Sequence, residues 1–270
     1  MAYLERENGH RVYYEDNGGG DRALLLIHGW GMGMRLWDYT VPDLLGAGFR
    51  VVCLDHRGCG QSDKDFDDMG INAIASDVVA LVQQLGLNSV VLNGWSLGGA
   101  VAVEAAAALG GSCSGLVLTC GATPAYLQKP DFPHGGTDEA LAGTLEAMAA
   151  DRVNFLRALS EGVCATEVSE ATVQWMWQIF MDASPQAAQA LGELGPLDQR
   201  ATLSALNLPI LSFVGGQDAV VDPAVCRSVG DYNPNTRIVE FDHAGHAPFI
   251  EAREAYNAEL VNFANECLPG

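Results

Sequence analysis

Ser96 is the residue of this sequence whose position most clearly suggests chemistry. It lies in Gly94-Trp95-Ser96-Leu97-Gly98, where an apolar run gives way to an alanine-rich stretch, so a predicted strand turns into a predicted helix over 97–109. The two glycines allow a tight turn that would hold the hydroxyl outward at the start of the helix. A serine at this position also suits simple helix capping, and the motif alone does not decide between the two roles.

A serine hydroxyl becomes a good nucleophile only when a base removes its proton, so a histidine and a carboxylate are required elsewhere. Asp218 follows the apolar run 209–216, and His246 follows the run 237–242. Ligands of open parallel sheets bind beyond the carboxyl ends of the strands, which is where all three residues would lie. We expect Ser96, Asp218 and His246 to form a catalytic triad.

Two neighbours compete for these roles. Asp222 lies four residues after Asp218 and directly before Pro223, an arrangement typical of a helix N-cap. His243 comes almost directly off the strand, whereas His246 lies further into a glycine-bearing loop that would bring it over the serine. The sequence therefore favours Asp218 and His246.

Ester hydrolysis also needs hydrogen-bond donors for the oxyanion. The backbone N–H of Leu97 at the helix start is one candidate, and that of Trp30, in the glycine-rich loop after the run 23–29, is the other. We expect His28 to order this loop rather than to react. Gly29-x-Gly31 lacks the third glycine of a dinucleotide-binding fingerprint, so no nucleotide cofactor is predicted. No set of histidine, cysteine and acidic residues has a recognised metal-ligand spacing, so no metal is predicted either.

The elements that must position these residues follow an α/β order. Apolar runs that predict strands alternate with helical patterns, which requires a mainly parallel sheet with helices on both faces. Between 122 and 208 the strand pattern disappears and helical patterns take over. We therefore predict a core domain of residues 1–121 and 209–270 with a helical lid, 122–208, inserted in it. The predicted strands are 11–20, 23–29, 50–58, 89–94, 115–121, 209–216 and 237–242, and the predicted helices outside the lid include 36–45, 71–87 and 97–109.

Composition narrows the partners. The chain has 270 residues, 49% of them hydrophobic, and a net charge of −20 with only two lysines, Lys64 and Lys129. Long-range repulsion therefore disfavours nucleic acid and anionic membranes as partners. The seven cysteines include no C-x-x-C pair and are expected to be buried free thiols. No signal peptide or long apolar run is present, so a cytoplasmic location is expected.

The sequence resembles the α/β-hydrolase superfamily over nearly the whole chain outside the lid. The motifs that carry the resemblance are H-G-W-G (28–31), D-H-R-G-C-G-Q-S-D (55–63), G-W-S-L-G-G (94–99), G-G-Q-D (215–218) and G-H-A-P-F (245–249). The resemblance implies a mostly parallel eight-stranded sheet and the chain order Ser96, Asp218, His246. Within the superfamily the motifs are similar to those of pimeloyl-carrier-protein methyl esterases, haloperoxidase-like esterases, enol-lactonases and C–C bond hydrolases.

Charge argues against an acyl carrier protein as the substrate carrier. Residues 122–205 contain 11 acidic and four basic side chains, and a carrier protein is itself acidic, so the lid would repel it. A small-molecule ester is the expected partner.

A stretch of the lid, 173–184, is rich in aromatic residues and methionine. Trp177 and Met181, and likewise Met176 and Phe180, are spaced i,i+4 on a predicted helix. One face of this helix would cover an acyl pocket. The alternative, that the stripe only packs the lid against the core, is equally consistent with the spacing. The candidate substrate-binding residues are Trp30, Trp95, Trp175, Trp177, Phe180 and Met181.

The sequence thus predicts a cofactor-free serine carboxylic ester hydrolase that acts on small to medium, fairly apolar esters through an acyl-enzyme. An enol-lactonase or C–C bond hydrolase on the same triad is the nearest alternative and predicts a lid arginine facing Ser96. A signalling receptor with slow turnover on the same fold is the alternative from another class.

Overall fold

A computed structural model describes residues 2–268. In this part of the chain eight strands form one sheet. They are β1 (Ala2–Glu5), β2 (Arg11–Asn17), β3 (Ala23–Ile27), β4 (Arg50–Leu54), β5 (Val90–Trp95), β6 (Cys113–Thr119), β7 (Ile210–Gly215) and β8 (Thr236–Phe241). The strand order is β1-β2-β4-β3-β5-β6-β7-β8. β2 is antiparallel to both β1 and β4, and the remaining neighbours are parallel, which confirms the predicted fold class.

Helices cover both faces of the sheet. Successive side chains of β3 alternate between two core clusters, with Leu25 and Ile27 in one and Leu24 and Leu26 in the other. Because both faces are buried, the central strands are almost continuous apolar runs. The first face is covered by α2 (Ile71–Gln84), α3 (Leu97–Leu109) and α9 (Pro223–Tyr232), and the second by α1 (Val41–Gly46), α10 (Pro248–Glu251) and α11 (Arg253–Cys267).

The chain between β6 and β7 contains no strand that pairs with the sheet and is mainly helical over its described residues. Three of its helices begin at side-chain caps: Thr137, Asp151 and Ser169 each accept a hydrogen bond from a backbone N–H in the first turn. The helices are α4 (Asp138–Ala150), α5 (Arg152–Gly162), α6 (Glu170–Met181), α7 (Ala188–Glu193) and α8 (Arg200–Ala205). Side chains of α4 to α7 pack over the carboxyl-end side of the sheet, where the predicted site lies.

Two elements differ from the sequence-based expectation. The predicted helix 36–45 is a 3₁₀ helix, Met34–Tyr39, followed by the short α1, because Pro42 has no N–H to donate and fits only the first turn of a helix. β1 was not predicted. It has only four residues and a single buried side chain, Leu4, so its alternation is too short to be recognised.

We searched the described helices for the length and apolar character that a bilayer-spanning segment needs. None of them in residues 2–268 has both.

Candidate active site

Ser96 occupies a sharp turn between β5 and α3. Its φ of 57° and ψ of −125° lie in a strained region for a residue with a side chain. A Cβ on Gly94 would lie 2.1 Å from the Gly98 carbonyl oxygen, and a Cβ on Gly98 would lie 2.4 Å from the His28 carbonyl oxygen. Both positions therefore require glycine. The Ser96 N–H donates to the Thr119 carbonyl at 3.0 Å, which fixes the turn against β6.

Asp218 and His246 are brought together from the loops after β7 and β8. His246 Nδ1 lies 2.7 Å from Asp218 Oδ2, and both side chains are almost fully buried. The other carboxylate oxygen, Asp218 Oδ1, accepts the N–H groups of Val220 at 2.8 Å and Val221 at 3.0 Å. With both oxygens held, the carboxylate fixes the imidazole with its proton on Nδ1 and leaves Nε2 for another partner.

The backbone of His246 is held by the segment between β6 and β7 and by the last residue of β5, directly before Ser96. The His246 N–H donates to the Val163 carbonyl at 2.8 Å, and its own carbonyl accepts the Trp95 indole N–H at 2.7 Å. Ser96 and His246 line one cavity, so a group bound there would meet both the hydroxyl and the imidazole.

The competing residues lie elsewhere. Asp222 is exposed and caps α9: its Oδ1 accepts from the Ala224 N–H at 2.9 Å, with Pro223 in the first turn. His243 is exposed to solvent. Neither lines the cavity that contains Ser96.

The N–H groups of Trp30 and Leu97 are both available near Ser96. Leu97 is the first residue of α3, so its N–H has no intrahelical acceptor. Trp30 lies in the loop after β3, and no acceptor for its backbone N–H is found among residues 2–268. Both residues line the cavity. The Trp30 side chain anchors its loop to the segment between β6 and β7, because the indole N–H donates to the Ala187 carbonyl at 2.9 Å.

His28 orders the loop that carries Trp30. Its Nε2 accepts the His56 N–H at 2.9 Å, so Nδ1 carries the proton and donates to the Gly29 carbonyl at 2.7 Å. The two imidazole rings stack at 3.6 Å. Complete burial lowers the pKa of His28 to about 4, which keeps the ring neutral. Gly29 gives this loop room, since a Cβ there would lie 2.7 Å from the Trp95 ring.

The cavity over Ser96 is apolar, and its volume is about 580 Å³ when the space open to solvent is included. Of the six candidate substrate-binding residues, Trp30, Trp95 and Phe180 line it. The other three do not line it. Trp175 packs edge-on against Tyr39, with ring centroids 5.5 Å apart. The Trp177 indole N–H donates to the Val153 carbonyl, and Met181 contacts the Arg152 guanidinium.

This placement corrects the expectation for the stripe 173–184. Only Phe180 of that stripe reaches the cavity, because Trp175 and Trp177 lie on other sides of α6. Several further lining residues were not predicted. Some of these residues lie in loops without a periodic pattern, and the others lie on helices whose spacing does not show which face meets a cavity. They are Tyr126, Thr144, Phe155, Leu159, Val163, Leu191, Leu194 and Val220.

Cys120 lies beside the acid and the imidazole. Its Sγ, a carboxylate oxygen of Asp218 and a ring nitrogen of His246 are all within 4.8 Å of one another. Burial and the nearby Asp218 carboxylate raise the pKa of the Cys120 thiol far above its usual range, so it remains protonated. A metal here would have to displace that proton and break the hydrogen bond between Asp218 and His246.

Comparison with known proteins supports the fold described above. Residues 22–253 match the family model described as the alpha/beta hydrolase fold. The chain is 29% identical to the AB hydrolase superfamily protein YisY of Bacillus subtilis, with 97% of this chain and 98% of that protein covered. It is 30% identical to the pimeloyl-[acyl-carrier protein] methyl ester esterase of Klebsiella pneumoniae, with 93% and 96% covered. The solved structure of an esterase from Exiguobacterium antarcticum superposes with a TM-score of 0.93 at 28% identity, covering 97% of this chain and 98% of that one.

The chain therefore belongs to the α/β-hydrolase family. Its relatives include several esterases and hydrolases, and it is an enzyme of the esterase type.

Proposed function

We propose that the protein is a serine carboxylic ester hydrolase that acts on small to medium, fairly apolar esters through an acyl-enzyme. The observation that carries the proposal is the 2.7 Å hydrogen bond between Asp218 and His246 at a cavity that the strained Ser96 also lines. Strain in the backbone of a residue with a side chain is concentrated at functional sites.

In the proposed reaction His246 moves the proton. Ser96 Oγ attacks the ester carbonyl carbon while His246 Nε2 takes the hydroxyl proton, and the resulting oxyanion accepts the N–H groups of Trp30 and Leu97. The bond to the alcohol oxygen then breaks, and Nε2 gives that oxygen its proton. Water adds to the acyl-enzyme in the same way, which releases the acid and returns the proton to Ser96. Asp218 holds the Nδ1 proton throughout.

The lining of the cavity supports a neutral, apolar ester. No lysine or arginine is among its lining residues in the described part of the chain. The arginines of the lid are engaged elsewhere: Arg152 donates to the carbonyls of Phe180 and Ala183, Arg157 pairs with Glu161 and Glu170, and Arg200 pairs with Asp198. An enol-lactonase or C–C bond hydrolase that holds a substrate carboxylate would need such a cation, so these alternatives are less well supported.

Relatives of this chain include methyl esterases that act on a pimeloyl group on a carrier protein. The lid of this chain, with 11 acidic and four basic side chains in 122–205, would repel an acidic carrier protein. We therefore propose a free small-molecule ester as the substrate.

The first test compares matched pairs of variants on a panel of p-nitrophenyl esters. We expect Ser96→Ala and His246→Ala to lose nearly all turnover, and Asp218→Asn to lose most of it, because each removes one part of the proton-transfer chain. The matched controls are His243→Ala and Asp222→Asn, which should retain most activity. Asp222→Asn keeps a good helix cap, so its fold should be preserved.

Covalent labelling with a fluorophosphonate, read by intact mass, tests the nucleophile directly. We expect one adduct on the native chain and none on Ser96→Ala. If His243→Ala were inactive while His246→Ala remained active, the assignment of the base would be wrong. Turnover below about one per minute on every ester would instead favour a slow signalling receptor, since enzymes typically turn over at 1 to 10³ per second.

A further inference from the structure

A second cavity adjoins the one over Ser96. Its volume is about 880 Å³, and it is open to solvent between α4 and the loop that carries Asp218. The two cavities share three lining residues, Tyr126, Thr144 and Val220. These three side chains therefore form the wall between the cavities. We call the second cavity the side cavity and this wall the partition.

We propose that the side cavity receives the alcohol part of the ester and that Tyr126 sets how long an alcohol the enzyme accepts. This inference rests on the proposed ester hydrolysis.

The partition is built from three separate segments of the chain. Tyr126 lies early in the chain between β6 and β7, Thr144 lies in the middle of α4, and Val220 lies two residues after Asp218. One hydrogen bond crosses it: the Tyr126 hydroxyl donates to the Val220 carbonyl at 3.2 Å. Burial and the Asp218 carboxylate raise the pKa of the Tyr126 phenol, so it keeps its proton and remains a donor.

The position of Val220 decides which half of the ester faces the partition. The leaving alcohol must lie beside His246, because that imidazole supplies its proton. Val220 is part of the loop that holds the imidazole in place, since the Val220 N–H donates to Asp218 Oδ1 at 2.8 Å. The oxyanion donors, Trp30 and Leu97, line the first cavity but not the second. An alcohol chain that extends past His246 thus meets Val220 and Tyr126.

Hydrogen bonds fix the backbone around the partition, whereas the Tyr126 side chain makes only the one hydrogen bond to the Val220 carbonyl found among residues 2–268. The Gly135 N–H donates to Asp222 Oδ2 at 3.0 Å, and the Gly136 N–H donates to the Tyr126 carbonyl at 3.2 Å. Gly135 has a φ of +91°, and a Cβ there would lie 2.3 Å from the Tyr126 carbonyl oxygen. Replacing the Tyr126 side chain should therefore open the partition and leave its frame in place.

Charge also favours a neutral group over an anion in the side cavity. Asp218 and Asp222 are among its lining residues, and no lysine or arginine is found there in the described part of the chain. A carboxylate would be repelled by this lining, whereas a neutral alcohol would not.

The experiment uses two series of esters. One keeps the butyryl group and varies the alcohol from methyl to octyl, and the other keeps p-nitrophenol and varies the acyl group from acetyl to decanoyl. We expect Tyr126→Ala to raise kcat/KM for the octyl ester relative to the methyl ester by about tenfold or more, since one methylene in an apolar pocket changes specificity by roughly 10- to 200-fold. The acyl series should keep its profile. Tyr126→Phe, which removes only the hydrogen bond, should give a smaller shift in the same direction.

Two further variants keep the test decisive. Val220→Ala widens the partition from the opposite side and should shift the alcohol profile in the same direction even if Tyr126→Ala folds poorly. Tyr3→Ala, on the exposed edge strand β1, is the control and should leave both profiles unchanged. The inference would be overturned if the native enzyme hydrolyses methyl butyrate but both partition variants keep the native alcohol profile. A shift in the acyl series instead of the alcohol series would also overturn it. Absence of hydrolysis and of Ser96 labelling in the native chain would overturn the proposed function as well.

Discussion

Acid should destabilise this protein through His28, a buried histidine that orders the loop after β3. Burial lowers the pKa of His28 to about 4, while the same group in the unfolded chain titrates near 6.5. At pH values above the unfolded-state pKa, His28 is neutral in both the folded and the unfolded chain, so it costs no stability there. As the pH falls below 6.5, the unfolded chain binds a proton that the folded chain does not, so stability is lost progressively until the folded group also titrates near pH 4.

The size of this effect follows from the two pKa values. The loss from His28 alone reaches about 2 kcal/mol at pH 5 and about 3 kcal/mol once the pH is below 4. His56 stacks on His28 and is equally buried, and its pKa is also lowered by burial and by the neighbouring His28, so it adds a loss of the same sign. A large part of a typical unfolding free energy of about 5 to 15 kcal/mol would thus be lost.

Urea unfolding followed by tryptophan fluorescence at pH 7.5 and pH 5.0 measures this loss. His28→Gln keeps an acceptor for the His56 N–H but cannot titrate, so we expect it to lose about 2 kcal/mol less than the native chain between the two pH values. The variant should be less stable at pH 7.5. His243→Gln, which replaces an exposed histidine, is the control and should keep the native pH dependence. Equal losses for the native chain and His28→Gln would refute the reasoning.

Two other predictions concern charge. Asp77→Asn should lower the unfolding free energy by about 1.5 to 3 kcal/mol, because it removes the charged bidentate partner that the buried Arg57 guanidinium contacts at 2.6 and 2.7 Å and leaves Glu7 as the remaining ion-pair partner of Arg57. In the same denaturation assay Glu240→Gln, which breaks the more exposed ion pair with Arg227, should lower the unfolding free energy by less than about 1 kcal/mol. Similar losses for the two variants would contradict the importance of burial for the Asp77 pair. Raising NaCl from about 0.05 to 0.5 M should raise the Tm by a few degrees, because salt screens the self-repulsion of a net charge of −20. A constant or falling Tm, measured by calorimetry, would show that this repulsion does not limit stability.

The fold and the positions that meet at the site follow from local sequence signals. The runs that end near Ser96, Asp218 and His246 are short, apolar and followed by glycine-bearing loops, and parallel strands bring such ends to one edge of the sheet. The glycines around Ser96 were predictable because the turn leaves no room for a Cβ at Gly94 or Gly98. Each of these constraints acts within a few residues of the chain, so a single sequence is enough to predict it.

The contacts of the segment between β6 and β7 are harder to predict, because they depend on how distant parts of the chain pack. The i,i+4 spacing of Trp177 and Met181 indicates an amphipathic helix, but it does not say whether a face meets the substrate or another helix. In the structure Trp177 donates to the Val153 carbonyl, and only Phe180 of this stripe reaches the cavity. Tyr126 lies in an irregular segment whose sequence shows no periodicity at all.

In the proposed enzyme, different parts of the chain control chemistry and selectivity. The turn that holds Ser96 leaves no room for a Cβ at Gly94 or Gly98, whereas Tyr126, Thr144 and Phe180 come from the segment between β6 and β7 and line the cavity. Two of the hydrogen bonds that join this segment to the core hold the site itself: the His246 N–H donates to the Val163 carbonyl, and the Trp30 indole N–H donates to the Ala187 carbonyl. Side-chain changes in the segment that leave these two carbonyls in place should therefore alter which ester binds without disturbing the proposed proton transfer.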